Sequence, residues 1–198
     1  MKPGVRALGV AESYHANASD EGGGDGETTS TLAGVVTRAN RVADGFVFGT
    51  CTVGGTDVSD AIVDLGKRLD REDVRYVFVA GIALSWYNIV DMHHIADALD
   101  RPIVSVTFEK SDGLSAALET EFSGEALERR REIYRRQPPR HELTVNDQTV
   151  FVRSVGIDED EARDVVRAFT PEGGRPEPLR VARLAARAGD EWQRMERY

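Results

Sequence analysis

The stretch "YVFVAGIALSWYNIVDMHHI" (76–95) decides how this chain folds. Residues 74–80, "VRYVFVA", are apolar almost throughout, as a strand buried on both faces is. The run stops at Gly81, an aromatic loop with Trp86 and Tyr87 follows, and a helix opens within 89–100. A strand–loop–helix junction is where α/β folds keep their chemistry. Yet the residue closing the strand, where a hydrolase carries a carboxylate, is Ala80. The junction leaves a choice between an enzyme, a former enzyme and a binding module.

Working outward, "TDVSDAIVDLGKRL" (56–69) precedes the strand. It places Val58, Ile62, Leu65 and Leu69 on one helical face, with Thr56 or Asp57 as N-cap. After the 89–100 helix, Arg101-Pro102 leads into a second buried strand, "IVSVTFE" (103–109). Upstream lie an apolar strand at 5–10 and two more at 31–39 and 46–53, joined through "NRVADG" as a hairpin. Between the first two, residues 13–30 are rich in Gly, Ser and acids, and predict a flexible loop without essential chemistry. Antiparallel meander followed by βαβ crossovers is the ribonuclease H-like order, a mixed central sheet flanked by helices. In that order the strand ending at Ala80 lies parallel to the one ending at Val10. Residues 123–198 read as a helical and hairpin elaboration of the same single domain (1–198). It comprises a helix at 123–137, a hairpin at 141–155 turning at Asn146-Asp147, a helix at 158–170 and a final helix from about Pro178.

The chain has 198 residues and a formal net charge of −9, with 34 acidic residues against 25 basic ones. Its lysines are Lys2, Lys67 and Lys110, and the remaining basic residues are arginines. High acid content with so little Lys resembles the proteins of salt-in halophiles, where carboxylates keep the surface hydrated. Global charge then says little about nucleic acid, and local charge matters more. No apolar run approaches a membrane span of roughly 18 residues. The first residues lack a signal-peptide core. A chain with one cysteine, Cys51, has no internal disulfide. These features predict a cytoplasmic protein with no membrane partner.

Three groups of residues invite a chemical reading. Arg129, Arg130, Arg131, Arg135, Arg136 and Arg140 reverse the local charge and are candidates for phosphate contact. An exposed helix laced by i,i+3 and i,i+4 pairs such as Glu128–Arg131 or Glu132–Arg136 is the bland alternative. His93 and His94, after Asp91, project about 100° apart on a helix and do not converge on one metal. "GGTDVSD" (54–60) offers an anion seat at a helix N-terminus, with capping as its default explanation.

"DGFVFGTCTVGGTDVSDAIVDL", "VRYVFVAGIALSWYNIVDM" and "LDRPIVSVTFEK" together resemble the archaeal endonuclease dU family, a relative of endonuclease V. The resemblance covers most of the chain in order. It implies a ribonuclease H-like fold and Mg²⁺-assisted phosphodiester hydrolysis near deaminated bases, with nucleic acid as partner. In the family the first strand reads like Gly-Ile-Asp-Asp-Gly, and here it reads Gly9-Val10-Ala11-Glu12-Ser13. The first Asp position is Ala11, the second is Glu12, and the fourth-strand Asp position is Ala80. Asp57, Asn88 and Asp91 match the family.

The resemblance therefore implies a degenerate or relocated centre. Glu12, Asp57 and Asp91 remain as metal ligands, and Tyr87, Asn88, Arg129, Arg130, Arg135 and Arg136 as substrate contacts. Two readings follow. One is a nuclease working with substitute ligands, and the other an inactive relative that binds nucleic acid or protein. In a regular strand Glu12 faces away from Ala11 and reaches the crevice only from a loop or bulge. A metabolite site using Trp86 and Tyr87 is a third, blander reading.

Overall fold

The computed structural model describes residues 1–14 and 28–195. Three antiparallel strands come first: β1 (Arg6–Ser13), β2 (Thr29–Arg38) and β3 (Ala43–Thr52). Helix α1 (Val58–Leu69), strand β4 (Val74–Val79), a small hairpin β5 (Ala83–Leu84) and β6 (Asn88–Ile89), helix α2 (Met92–Leu99) and strand β7 (Ile103–Thr107) follow. The chain continues through α3 (Ser115–Glu121), α4 (Gly124–Arg136), β8 (His141–Val145), β9 (Gln148–Val155), α5 (Glu159–Ala168) and α6 (Glu177–Met195).

The main sheet has the order β3-β2-β1-β4-β7-β9-β8. β1 pairs in parallel with β4, Val10 opposite Val79, and β4 in parallel with β7. This is the ribonuclease H-like sheet, with the strand carrying "VFVA" beside the first strand as its topology requires. The late hairpin extends the sheet, because β9 pairs antiparallel with β7. The C-terminal segment is thus built into the domain's centre as well as its edge.

One sheet face buries Leu8, Val10, Leu32 and Val77 against Val58, Ile62 and Leu65 of α1 and Met92 and Ile95 of α2. The other buries Tyr76, Phe78 and Val104 against Val165 and Val166 of α5, Phe169 and Leu179. Ala11 and Val35 meet Ala182 of α6 there. Helix α6 crosses β1 and β2 at close range because β1 carries Gly9 at the crossing. A methyl group at Gly9 would overlap the Pro178 backbone.

Several local expectations change. Ser13 belongs to β1, and Thr29 and Ser30 to β2, so the flexible-loop range narrows; 15–27 lie outside the described residues. The 31–52 hairpin turns at 39–42. Asp44 and Gly45 lie inside β3, and Asp44 there takes Arg6 and Arg38 at 2.9 and 2.8 Å. The expected helix at 89–100 begins only at Met92, with Asp91 as N-cap accepting from the His94 N–H at 3.2 Å.

Candidate functional site: an arginine-lined cleft at the strand ends

β4 ends at Val79, opposite Val10, whereas β1 continues in register with β2 to Ser13. Beyond Val10 that flank of β1 is open, and a cleft of about 1140 Å³ fills the space. Its floor is the C-terminal ends of β1, β4 and β7: Ala11, Glu12 and Ser13, Ala80 to Leu84, and Ser105 to Glu109. The two positions that resemble catalytic Asp sites, Ala11 and Ala80, therefore line one cleft as methyl groups. Glu12 also borders it, without a bulge, because its strand outruns β4; its carboxylate accepts from the Ser30 hydroxyl at 2.9 Å.

The walls are cationic. Arg140, Arg153, Arg175, Arg183, Arg187 and Arg194 all line the cleft, with Glu109, Asp112 and Glu191 as further acids. No salt bridge to a carboxylate occupies any of these six among the described residues. Elsewhere arginines are mostly paired, as in Arg6–Asp44, Arg71–Asp73, Arg131–Glu128, Arg163–Glu159 and Arg180–Glu177. Arg175 lies over the Phe108 ring at 4.0 Å and Arg140 over Phe151 at 4.6 Å. Arg153 donates to the Pro138 carbonyl. The Nε of Arg194 is buried without a hydrogen-bond partner. Burial lowers the pKa values of Arg153 and Arg175; Tyr134 opposes it at Arg153 while Arg140 adds to it, and Arg183 and Arg187 add to it at Arg175. Guanidinium groups gathered around one cavity, with Arg153 and Arg175 partly desolvated, can accept an anion such as phosphate.

Sequence reading placed the cationic surface on α4, and the structure distributes those residues differently. Arg130 is 3% exposed. Its guanidinium donates to the carbonyls of Tyr87 (3.1 Å), Gly55 (2.9 Å) and Gly54 and stacks on Phe122 at 3.8 Å, so it braces loops. Arg136 pairs with Asp91 at 2.8 Å, and Arg129 with Glu125 at 3.4 Å. Arg135 is exposed. Asn88 is fully buried and bonds Thr52 O, Asp57 Oδ1 and the Val58 N–H.

Asp57 occupies the N-cap position of α1, but its carboxylate makes no cap bond there. It accepts instead from the Thr52 N–H (3.0 Å), the Thr52 hydroxyl (3.1 Å) and Asn88 (2.7 Å), while Asn88 takes over the capping. Burial acts to raise the Asp57 pKa, and these hydrogen bonds outweigh it, leaving it below the usual carboxylate range. Asp91 is committed to α2 and Arg136. His94 faces Asp60 at 2.8 Å and His93 the Arg136 carbonyl at 3.0 Å, so the two imidazoles diverge.

Among the described residues no group of three His, Cys, Asp or Glu side chains is placed to hold a metal ion. Glu12, Asp57 and Asp91 are thus not gathered into one donor set. A divalent cation of the Mg²⁺ kind needs oxygen ligands where Ala11 and Ala80 supply methyl groups, and the surrounding arginines repel it. The residues present do not fit such an ion.

Two features escaped sequence reading. Asp190 sits on the buried stripe of α6 with Leu179, Ala182 and Ala186, is 8% exposed, and accepts from the Ser13 hydroxyl at 3.4 Å. A carboxylate in the apolar stripe of a helix was the available signal. Arg183, Arg187 and Arg194, spaced i, i+4 and i+11, share one flank of α6, a pattern visible in sequence once that flank is known to face the cleft. Burial pushes the Cys51 thiol up to about 11, against a hydrogen bond with Ser85.

The fold and sequence are shared with known proteins. The model of the endonuclease dU family matches residues 3–189. A UPF0215 protein of Thermococcus kodakarensis is 32% identical over 95% of this chain and 93% of its own length. One from Methanopyrus kandleri is 27% identical over 94% and 91%. A protein of unknown function from Archaeoglobus fulgidus superposes with a TM-score of 0.78 at 26% identity, covering 92% of this chain and 96% of that one. Endonuclease V of Bacillus subtilis shares the fold, with a TM-score of 0.63 at 15% identity over 97% and 83% of the two chains. By family model, relatives and fold alike, the chain belongs to the endonuclease dU family.

Proposed function

We propose that this protein binds nucleic acid in the cleft at the strand ends, gripping phosphates directly with arginines where its relatives' resemblance implies a metal. In this reading it does not cleave by a Mg²⁺-dependent route. The observation that carries the proposal is the coincidence of two features in one cavity: methyl groups at Ala11 and Ala80, and six arginines without carboxylate partners among the described residues. In a chain of net charge −9, so local an excess of cations calls for an anionic ligand. Family membership favours nucleic acid as that ligand. Endonuclease V of Ciona intestinalis, which shares the fold at 11% identity and a TM-score of 0.61, was crystallised with DNA containing an inosine. Nucleic acid with deaminated bases is therefore the substrate class we assign.

Restoring the missing oxygens tests the proposal. Ala11→Asp with Ala80→Asp together should create Mn²⁺ binding measurable by calorimetry, and each single change much less, because half a site holds the ion poorly. The unmodified protein should leave deoxyinosine- and deoxyuridine-containing DNA intact in Mg²⁺. A second reading rests on one observation: Glu12 and Asp190 both lie at the end of β1, bonded to Ser30 and Ser13. Robust cleavage by the unmodified protein, lost on Glu12→Ala or Asp190→Ala, would replace the first reading with a relocated catalytic centre.

A further inference from the structure

The loop joining β5 to β6 is Ser85-Trp86-Tyr87, and all three residues are left-handed, with φ of 44°, 59° and 54°. Non-glycine residues pay about 1–2 kcal/mol each for that conformation. None of the three is Gly, Asn or Asp, the residues that tolerate it. Three such residues in a row persist only where the surroundings over-determine them.

The surroundings do so on both sides of the tip. Ser85 is buried, its carbonyl accepts from the Gly54 N–H at 2.7 Å and its hydroxyl lies 3.3 Å from the Cys51 sulfur. The Tyr87 carbonyl is held by the buried Arg130, and its ring meets Phe122 edge-on at 6.2 Å. Asn88, fully buried, closes the hairpin with three hydrogen bonds. Between these anchors only Trp86 is exposed, at 51%. Its indole meets the Tyr87 ring edge-on at 5.5 Å and 71°, and it lies against Gly54. The same hairpin lines the arginine cleft through Ala83 and Leu84. A strained, braced loop thus carries an exposed indole two positions along the chain from Leu84, which lines the arginine cleft.

We infer that Trp86 is a stacking platform for an unpaired nucleobase of a strand whose phosphates occupy the cleft. The inference rests on the proposed nucleic-acid binding and adds the base contact to it. Stacking on a held aromatic ring is tolerant of sequence, since every base presents a π-face, and a prearranged ring loses little freedom on binding. Tyr87, by contrast, is the loop's anchor.

The chain has two tryptophans, so Trp192→Phe leaves Trp86 as the single indole reporter. In that background, a single-stranded oligodeoxythymidylate and an abasic oligomer of equal length are titrated, with indole fluorescence and anisotropy of an end label read together. The expected result is tight binding with quenching by the base-bearing strand, and weaker binding without quenching by the abasic one. Trp86→Ala should weaken the base-bearing strand about ten-fold, the size of one base–aromatic stack. Trp86→Phe should recover most of the loss, and neither change should affect the abasic strand. Equal affinity for the two oligomers, or no loss in Trp86→Ala, would overturn the platform while leaving phosphate binding intact. Binding of neither oligomer would overturn the functional reading and the platform with it.

Discussion

The Asp57 carboxylate accepts from the Thr52 N–H, the Thr52 hydroxyl and Asn88, and so ties the end of β3 to the β5–β6 hairpin. Its folded pKa lies below the usual range, since these hydrogen bonds outweigh the raising effect of burial. A depressed folded value means stability that is present above the unfolded pKa of about 3.9 and is lost as pH falls through the folded one. Acid titration of thermal stability should therefore show a loss below about pH 4 that Asp57→Asn flattens. An unchanged acid limb would mean that the carboxylate is not ionised there. Arg130 is the second residue of this kind. Arg130→Met leaves the Tyr87, Gly54 and Gly55 carbonyls without their donor and should cost about 2–4 kcal/mol in denaturant unfolding. A near-neutral result would show that water replaces the guanidinium.

At the scale of elements, helix α6 determines what the cleft is. Its rotation is set where it crosses β1, at Gly9 and Pro178, and that rotation turns Arg183, Arg187 and Arg194 to the cleft and Asp190 to Ser13. Gly9→Ala should lower the melting temperature markedly, because a methyl group meets backbone rather than a flexible side-chain end; overpacking costs about 1–3 kcal/mol or more. Charge removal separates α6 from α4. Replacing Arg183, Arg187 and Arg194 with Gln should weaken single-stranded DNA binding and reduce the salt slope by about 0.7 per lost phosphate contact. Arg129→Gln with Arg135→Gln on α4 should leave both nearly unchanged. The opposite ranking would return the interface to α4.

Much of this element order could be read from sequence, and for physical reasons. Helix α1 has an apolar residue every three or four positions, β4 and β7 are largely apolar runs, and the β8–β9 hairpin turns at Asn146-Asp147, where both residues are left-handed. Helix α3 escaped because its seven residues bury only Leu118 and lack a side-chain cap, so no pattern marks it. The site was half visible. Ala11 and Ala80 fall together because they follow the paired residues Val10 and Val79 of adjacent parallel strands, and Glu12 joins them because β1 outruns β4. The arginines come from β9, the loop before α6, α6 itself and the loop before β8, and only the tertiary fold brings them to one cavity.

For the whole molecule, the chain keeps a seven-stranded sheet with six arginines lining the cleft at its strand ends, and it belongs to the endonuclease dU family. In the proposed reading, anion binding in this cleft is metal-independent. The direct measurement is anisotropy of a labelled single-stranded oligonucleotide containing deoxyinosine, titrated with the unmodified protein in excess EDTA and in Mg²⁺, with the strand run on a denaturing gel afterwards. We predict the same affinity in both conditions, a steep fall with added salt and an intact strand. Binding that appears only with Mg²⁺, or a cleaved strand in Mg²⁺ and not in EDTA, would contradict it.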